Sequence, residues 1–448
     1  GVKQGYLDLH VLDSTDPGMV LEYKNNLKPE DTLYIVSTKS GTTVETLSFM
    51  KYFFTEAVNV LGKEKAGQHF IAITDPGSKL VDMANDLKFR KIFLNDPEVG
   101  GRYSALTYFG LVPAALVGVD LEKLLSRAQT MADLKEKYET PAEGDISAAR
   151  LGVIMGDLAA MGRDKLTLIL SPDIEHFATW VEQLIAESTG KEGKGILPVV
   201  GEKILEPVFY APDRLFVYIK MKNDSLYDPD IRKLINAGHP VVQLVLDDLY
   251  DLGREFFRWE LATAIAGWRL GINPFDQPNV EAAKKLAKKM MQEYTKKGKL
   301  PAQQPVLHHN NMKIFADFTA ESFMDLLKIF LEKAEQGIHR AKGRSYIAIQ
   351  AYIKPEVQLE EAFQRMRTEI RRLMKMATTF GYGPRFLHST GQLHKGDAGN
   401  GLFIQFTSEM PRDVPIPDEP GKSKSSFSFA VLKTAQQLGD QQALQEAG

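Results

Sequence analysis

Cysteine is absent from the 448 residues of the chain. Its absence excludes disulfides, thiolate catalysis, iron–sulfur clusters and cysteine-based zinc sites, and it fits a reducing, cytoplasmic compartment. An excess of one charge is also missing, because 55 Lys and Arg stand against 58 Asp and Glu and leave a net charge of −3. Such a balance predicts no general attraction to nucleic acid or to an anionic membrane, but it leaves room for a local anion site.

Long hydrophobic runs are lacking too. The longest apolar stretch, near Gly110–Leu121, is far shorter than the roughly 18 residues that a membrane span needs. The apolar fraction of 44% and the charged fraction of 25% are typical of globular proteins. At roughly 150 residues per domain, we therefore predict a globular protein of about three folding units that does not enter a membrane.

Strand-like and helix-like segments alternate along the first 120 residues. The strands are predicted at Leu7–Leu12, Thr32–Thr38, His69–Thr74 and Lys91–Leu94. The helices are predicted at Pro17–Leu27, Thr43–Leu61, Ser78–Leu87 and, as a buried helix, Ser104–Val117. Alternation of this kind predicts an α/β fold, in which a parallel sheet carries helices on both faces. The polar segment Glu122–Gly144 is predicted to be a connection.

Two further alternating runs follow. Predicted strands are Lys165–Leu170, Leu215–Ile219, Val241–Leu246, Met312–Phe315, Tyr346–Ile353 and Leu402–Phe406. Predicted helices are Ala148–Met161, Ile174–Glu187, Leu249–Leu270, Val280–Lys296, Ala320–Glu335, Val357–Thr378 and Ser428–Gln437, with a loop or lid at Arg412–Ser426. We predict domains at 1–144, 145–298 and 299–448: two doubly wound parallel-sheet domains and a C-terminal α/β extension.

A hydroxyl-rich segment, Val36–Thr46, follows one predicted strand and opens a long helix. Backbone N–H groups converge at such a helix N-terminus, where the helix dipole favours an anion, and Lys39 adds a positive charge. Gly41 permits the tight turn that this requires. The segment therefore suits a phosphate monoester, although it lacks the spacing of a Walker loop. The alternative is an ordinary Ser/Thr-capped helix start.

Two further segments carry an arginine and a glutamate. Gly100 and Gly101 precede Arg102, so the backbone can approach a ligand while the guanidinium faces a developing oxyanion. Glu187 ends an apolar helix face, where burial and the helix dipole both disfavour its charge and make it a base usable near neutral pH. The alternatives are a glycine turn with a capping arginine and a solvated helix-end glutamate.

The turn Asn273–Asn279 leads into a helix, with Gln277 at the turn and Lys284 about two turns further on. The alternative for Lys284 is a solvated helix lysine. Nine histidines are present, and none forms a His-Glu-x-x-His box or a similar metal-binding spacing, so we predict no metal and no cofactor. His388 stands in the string Phe386–Gly396, beside glycine turns.

These segments together resemble phosphoglucose isomerase, which is built from two sugar isomerase (SIS) domains. The Leu12–Pro17 segment, the hydroxyl-rich loop, Gly100–Ser104, the Glu187 segment and Phe275–Gln277 occur in family order over roughly residues 8–290. The resemblance is closest to the isomerase part of bacterial bifunctional transaldolase/phosphoglucose isomerases, which the His388 string and the Gln436–Leu444 tail also resemble. It implies that 1–144 and 145–298 are the SIS domains.

The resemblance implies reversible conversion of glucose 6-phosphate to fructose 6-phosphate in glycolysis and gluconeogenesis. Glu187 would shuttle a proton between C2 and C1, and Arg102 would stabilise the cis-enediol(ate). The residues that hold the phosphate would be Thr38, Lys39, Ser40 and Thr43. Gln277 and Lys284 match positions that contact phosphate and assist ring opening. Glu45 matches a polar position close to the sugar, and Gly101 lets backbone approach the substrate.

Two features depart from the family pattern. A Gly-Gly-Ser loop normally precedes the Leu12–Pro17 segment, so we expect the chain to be part of a longer protein, with a transaldolase domain fused or lost upstream. In short bacterial isomerases the Leu-His-Ser-x-Gly-Gln string follows the base closely, whereas His388 follows the Lys284 helix. His388 is therefore expected to open the sugar ring only if the fold brings it back to Glu187; otherwise another residue does so, and His388 is structural.

Two other functions compete with an isomerase. A non-catalytic SIS-type module would bind a sugar phosphate without converting it, and such a sensor needs the phosphate loop but no base. A nucleotide-binding Rossmann enzyme would need a Gly-x-Gly-x-x-Gly element after the first strand, which this sequence lacks. For the isomerase and for the non-catalytic module alike, the expected partner is a small sugar phosphate. An oligomer is compatible with the family.

Overall fold

The computed structural model describes residues 3–137, 146–340 and 345–447. The α-helices are α1 (Pro17–Asn26), α2 (Val44–Leu61), α3 (Lys63–Ala66), α4 (Lys79–Asp86), α5 (Tyr108–Leu116), α6 (Leu121–Lys137), α7 (Ala148–Ala160), α8 (Phe177–Thr189), α9 (Asp228–Asn236), α10 (Leu252–Leu270), α11 (Val280–Lys297), α12 (Phe323–Arg340), α13 (Val357–Met374), α14 (Thr390–Gly396) and α15 (Phe429–Ala447). Short 3-10 helices include Gly101–Tyr103 and Arg385–His388.

The strands form three parallel sheets and two small antiparallel pairs. The strands are β1 (Tyr34–Ser37), β2 (Phe70–Thr74), β3 (Lys91–Leu94), β4 (Lys165–Leu170), β5 (Leu197–Val199), β6 (Arg214–Met221), β7 (Val241–Leu246), β8 (Leu307–His309), β9 (Met312–Ile314), β10 (Tyr346–Tyr352), β11 (Ala377–Tyr382), β12 (Gly401–Thr407), β13 (Pro415–Ile416) and β14 (Phe427–Ser428). The strand orders of the parallel sheets are β1-β2-β3, β5-β4-β6-β7 and β11-β10-β12. The predicted α/β class with parallel sheets is therefore confirmed.

The second sheet shows most clearly why helices cover both faces. Neighbouring residues of one strand point to opposite sides. On β4, Leu168 and Leu170 pack with α7, α8 and α10, whereas Ile169 packs with α9 on the other side. Trp259 of α10 is fully buried in the first of these cores. Both faces of the sheet are therefore apolar, and each needs its own helical layer.

The C-terminal third completes the cores of both other units. Val414, Ile416 and Phe429 are buried in the core of the first sheet, against α2. On β10, Tyr346 and Ala348 pack against the end of α8 and β5, whereas the alternate strand residues face α13. The segment predicted as a loop or lid at Arg412–Ser426 is thus wrong in part, because its apolar residues are core residues.

Four further sequence-based predictions of local structure are wrong. Leu7–Leu12 is not a strand, because it is largely exposed and lies beside no other strand. Glu122–Gly144 is not a connection over its described part: α6 buries Ala128 and Met131 against its neighbours, whereas 138–145 lies outside the described residues. Ser104–Val117 becomes the shorter and only partly buried α5.

The fourth error concerns the predicted helix Val357–Thr378. It ends at Met374, where Lys375 takes a left-handed conformation with φ of 54°, and β11 begins two residues later. The sequence analysis did not predict β5, which has only three residues, or α9, whose residues are mostly polar. The other predicted strands and helices are confirmed within a few residues, except that the helix predicted at Ser428–Gln437 continues to Ala447. Each parallel sheet lies inside one predicted domain, although the domain boundaries themselves stay a prediction.

None of the helices in the described ranges combines the length and the apolarity that a bilayer crossing requires.

Candidate functional site

The predicted residues of the first unit follow the carboxyl ends of parallel strands. The hydroxyl-rich loop follows β1, Asp75 follows β2, and the loop to Arg102 follows β3. The carboxyl ends of parallel strands meet at one edge of a sheet, which is the usual place for a ligand in such folds. Arg102 and the hydroxyl-rich loop are thus placed at the same edge by topology.

The hydroxyl-rich loop is held by its own side chains. The Oγ1 atoms of Thr38 and Thr43 are 2.9 Å apart, and the Oγ of Ser40 lies 2.8 Å from the Oγ1 of Thr42. Thr43 is the N-cap residue of α2, but its hydroxyl bonds Thr38 instead of capping the helix. The helix start therefore differs from the ordinary capped one, and its N–H groups suit an anion.

Gly41 confirms the predicted tight turn in this loop. Its φ is +66°, and a Cβ added there would lie 2.6 Å from the backbone nitrogen of Leu80. Only glycine tolerates both the left-handed backbone and so close an approach to the start of α4. The loop thus packs directly against the next helix N-terminus.

Lys39 has its charge already paired. Its Nζ donates to Oδ2 of Asp75 at 2.6 Å and to the carbonyl of Pro97 at 2.7 Å. The sequence predicted a positive charge available to a ligand, and the structure anchors that charge to the ends of β2 and of the loop after β3. About a third of the side chain, 33%, stays exposed.

Arg102 is buried, with 4% of its surface exposed. Its Nε donates to Oγ of Ser188 at 2.8 Å, and its Nη1 donates to Oε1 of Gln277 at 2.8 Å. Its Nη2 donates to the carbonyls of Pro274 and Asp276. The guanidinium therefore joins three distant parts of the chain, and it is more than a capping residue of a glycine turn. Beside it, a Cβ on Gly101 would meet no atom within 4 Å, so the glycine leaves open space.

Glu187 lies within reach of that guanidinium. Its Oε1 is 3.5 Å from Nη1 of Arg102, and its Oε2 accepts from Nε2 of Gln183 at 3.3 Å. Only 9% of Glu187 is exposed, although it is two residues from the end of α8. The alternative of a solvated helix-end glutamate is therefore wrong. A buried carboxylate beside an arginine and an amide is suited to proton transfer next to a stabilised oxyanion.

Ser188 and Tyr103 extend this group and were not singled out from the sequence. The Tyr103 hydroxyl lies 3.0 Å from Oγ of Ser188, which also accepts from Arg102. Burial raises the pKa of Tyr103, whereas the hydrogen bond to Ser188 and the charge of Arg102 act against that rise. Tyr103 follows Arg102 in the sequence, and Ser188 follows Glu187. Their position next to predicted site residues is the sequence feature that could have indicated them.

Lys191 is a second buried cation at this junction. Its Nζ donates to Oδ1 of Asp276 and to the carbonyl of Asn273, both at 2.7 Å. Burial lowers the pKa of Lys191, and its ion pair with Asp276 counteracts this. The lysine therefore fixes the loop that carries Gln277 to the turn after Glu187.

Glu45 is held by the C-terminal helix. Its Oε1 accepts from Nε2 of Gln436 at 2.7 Å, and Oε1 of Gln436 accepts from Oγ1 of Thr15 at 2.9 Å. A buried ion pair between Lys433 and Asp16, 2.6 Å long, ties the same helix to the same N-terminal segment. No local pattern in the sequence could reveal these partners, because they lie at opposite ends of the chain.

For Lys284 and His388, the two remaining predicted residues, the structure gives the position in the fold. Lys284 lies on an exposed position of α11. His388 ends the short 3-10 helix that leads into α14, and its side chain lies outside the described residues. The helix α14 that follows His388 packs against the end of α8, where the carbonyl of Gly396 accepts from the N–H of Gly193 at 3.0 Å.

His394, in the same string, is buried in an aromatic environment. Its ring centroid lies 5.1 Å from that of Phe403 and 6.0 Å from that of Tyr346, and its Nδ1 is 3.4 Å from Nε2 of Gln350. Burial lowers the pKa of His394 to about 3, with a smaller contribution from Lys395. The imidazole is therefore neutral at physiological pH and belongs to the core.

This burial predicts a pH-dependent stability. The unfolded chain binds a proton at His394 near its ordinary pKa of 6.5, whereas the folded chain does so only near 3. Stability is thus lost as pH falls below about 6.5, by up to about 1.4 kcal/mol per pH unit. His394→Phe should remove this slope in urea unfolding measured across pH. The exposed His308→Phe is the control, and an equal slope in wild type and His394→Phe would contradict the prediction.

Within 3–137, 146–340 and 345–447, no three His, Asp or Glu side chains lie close enough together to hold a metal ion.

Comparisons with known proteins give the relatives of the chain. A sequence model of the family described as "Phosphoglucose isomerase" matches residues 2–196. A "Glucose-6-phosphate isomerase" of Rubrobacter xylanophilus is 30% identical over 319 residues, which cover 62% of this chain and 73% of that protein. One of Enterococcus faecalis is 28% identical over 290 residues, which cover 56% of this chain and 64% of that protein.

Solved structures share the fold. A hypothetical protein from Thermus thermophilus superposes with a TM-score of 0.55 at 26% identity, over 62% of this chain and 76% of that one. A glucose-6-phosphate isomerase from Chlamydia trachomatis gives a TM-score of 0.52 at 22% identity, over 63% of each chain. The parallel sheets with helices on both faces therefore define an α/β protein of the phosphosugar isomerase fold. More particularly, the chain belongs to the phosphoglucose isomerase family.

Proposed function

We propose that the chain catalyses the reversible isomerisation of glucose 6-phosphate to fructose 6-phosphate, the aldose–ketose step of glycolysis and gluconeogenesis. The observation that carries the proposal is the convergence of Arg102, Glu187 and Gln277 from three distant segments, with 3.5 Å between the guanidinium and the carboxylate. Membership of the family, whose relatives bear this activity in their names, supports it.

The proposed chemistry is a proton transfer between neighbouring carbons. A proton alpha to a carbonyl is weakly acidic, so the site must combine a poised base with a stabiliser of the oxyanion. Glu187 would take the proton from C2 and return it to C1, and Arg102 would stabilise the cis-enediol(ate) between the two steps. General base action is worth roughly 10²–10⁴-fold in rate, and an oxyanion donor adds on the order of 10²–10³-fold.

The substrate phosphate would bind the hydroxyl-rich loop. Its proposed ligands are Thr38, Lys39, Ser40 and Thr43, and the start of α2 supports an anion there. Gln277 and Lys284 would assist from the loop and helix at 273–297, and Glu45 would lie near the sugar. Binding energy from the phosphate, which does not react, would hold C1 and C2 in place at the base.

Ring opening would be assigned to His388. This assignment is supported by the packing of α14, which follows His388, against the end of α8, the helix of Glu187. The two segments are about two hundred residues apart in the sequence. The rearranged order of the chain is then compatible with the family chemistry. Lys284 is the second candidate for this step.

The direct test is an assay of interconversion of the two hexose phosphates by the purified chain, with EDTA present. We expect turnover in both directions without added metal or nucleotide. Absence of turnover, or a strict metal requirement, would overturn the proposal. Calorimetry on the same sample separates the alternative: tight binding of glucose 6-phosphate without turnover would identify a non-catalytic sugar-phosphate-binding module.

We also infer that the chain is the isomerase part of a bifunctional transaldolase/phosphoglucose isomerase, with SIS domains at 1–144 and 145–298 and an extension at 299–448. The His388 string and the α15 sequence support this subfamily. The coding sequence upstream of Gly1 tests it, since a transaldolase domain is expected there. A cytoplasmic location and an oligomeric state are proposed with it, and cell fractionation and sedimentation test them.

A further inference from the structure

The end of α8 and α14 meet backbone to backbone. A Cβ added to Gly190 would lie 2.2 Å from Cα of Leu393, and one added to Gly396 would lie 2.3 Å from the carbonyl oxygen of Gly190. Neither distance is compatible with a side chain. The C-terminal third is thus pressed directly against the turn that follows Glu187.

One side chain of α14 uses this close approach. Gln392 is fully buried, and its Nε2 donates to the carbonyl of Gly190 at 2.8 Å and to Oδ1 of Asn279 at 2.7 Å. Its Oε1 accepts from the backbone N–H of Asn279 at 2.8 Å. The Nε2 atom faces a backbone carbonyl, and the Oε1 atom faces a backbone N–H group. These two partners determine which way round the amide of Gln392 lies.

The two segments that Gln392 joins are those that carry the proposed chemistry. Gly190 is the C-cap of α8, three residues after Glu187. Asn279 follows Gln277 by two residues and is the N-cap of α11, the helix of Lys284. Arg102 spans the same two segments from the other end of the chain, through its bonds to Ser188 and Gln277. Lys191 also ties the Gln277 loop to the turn after Glu187, through Asp276 and the carbonyl of Asn273. Gln392, Arg102 and Lys191 therefore all support the junction between this turn and this loop.

We propose that Gln392 is a positioning residue that holds the Glu187 turn and the Gln277 loop at their working separation. The proposal rests on the proposed isomerase function. Gln392 would act through the two residues that its amide bonds, Gly190 and Asn279. A displacement of reacting groups by about 1 Å can cost on the order of 10²-fold in rate, so loss of this amide should act on turnover.

The test begins with Gln392→Met, which keeps the side-chain length and removes the amide. We expect kcat to fall on the order of 10–100-fold. KM for glucose 6-phosphate should change less than about threefold, because the hydroxyl-rich loop, which carries most of the proposed phosphate ligands, does not contact Gln392 through its amide bonds. Gln129→Met is the matched control, since Gln129 is an exposed glutamine that donates to Asp133, and it should leave both constants unchanged.

Gln392→Glu tests the positioning role through the pH dependence of kcat, which a purely structural residue would not change. A carboxylate there would face the carbonyl of Gly190 without a proton to donate, and protonation would restore one donor. The ratio of its kcat to that of wild type should therefore rise as pH falls from about 8 to about 5. A flat ratio, or unchanged kcat in Gln392→Met, would overturn the proposal.

Amide hydrogen exchange separates this proposal from the proposed function. In Gln392→Met, peptides covering residues 188–193 and 277–281 should exchange faster than in wild type, whereas peptides from the first sheet should not. Faster exchange throughout the chain would mean general destabilisation and would overturn the positioning role. If wild type converts no hexose phosphate, the proposed function fails, and the exchange pattern still decides whether Gln392 couples the two segments.

Discussion

Glu187→Gln should reduce kcat for glucose 6-phosphate isomerisation by roughly 10²–10⁴-fold and leave KM nearly unchanged. The glutamine has the same shape but cannot accept the C2 proton, while the phosphate ligands of the substrate stay in place. The carboxylate lies 3.5 Å from the Arg102 guanidinium, and both side chains are buried, with 9% of Glu187 and 4% of Arg102 exposed. Steady-state kinetics in both directions measure the effect.

Two further variants make this result specific. Glu187→Asp keeps the base but withdraws it by one methylene, so we expect a smaller loss, about 10–100-fold. Glu175→Gln makes the same chemical change at an exposed glutamate just before α8 and should have no effect. Turnover in Glu187→Gln within tenfold of wild type would show that another group takes the proton, and the assignment of Glu187 would then be abandoned.

The local parts of this site could be predicted from the sequence, because they depend on neighbouring residues. The strand of β1, the turn at Gly41 and the helix start after Thr43 follow from hydrophobic pattern and backbone preference. The strands Lys165–Leu170 and Val241–Leu246 were predicted at their observed bounds for the same reason. A short, largely apolar run between polar turns is typical of a strand in a parallel sheet.

The contacts that assemble the site could not be predicted in this way. Arg102 meets Ser188 and Gln277 only after two sheets have packed together, and no pattern within a short window records such a meeting. Gln392 and Gln436 read as ordinary polar residues of helices, and their buried partners lie far away in the sequence. The error at Leu7–Leu12 has the same origin, because this segment has a strand-like pattern but no neighbouring strand to pair with.

The second large effect is expected at Glu202, a buried carboxylate that joins the second and third sheets. Its Oε2 accepts from Nη1 of Arg214 at 3.0 Å and from Nη1 of Arg371 at 2.9 Å, and its Oε1 accepts from the N–H and the hydroxyl of Thr378, both at 2.8 Å. The side chains of the two ion pairs are at most 1% exposed. Burial alone would raise the pKa of Glu202, but the arginines outweigh it and lower that pKa to about 2.

Glu202→Gln should therefore lower the free energy of unfolding at pH 7 by about 3–5 kcal/mol, because it leaves two buried guanidinium groups without a counter-charge. The pH dependence has a definite sign. The folded pKa lies below the ordinary value of 4.5, so the stabilisation is complete above pH 4.5 and is lost as pH falls toward 2. The difference between wild type and variant should be constant near neutrality and shrink below pH 4.5. Urea unfolding at several pH values measures it.

Glu206→Gln is the matched control, because Glu206 pairs with Lys233 at 2.7 Å on the surface, where its side chain is 60% exposed. That variant should change the free energy of unfolding by less than about 1 kcal/mol. An equally small change in Glu202→Gln would contradict the prediction, as would a difference that stays constant below pH 4. A large, pH-dependent loss at Glu202 would show that the third sheet is held to the second by this charge, and with it the α14 segment that reaches the end of α8.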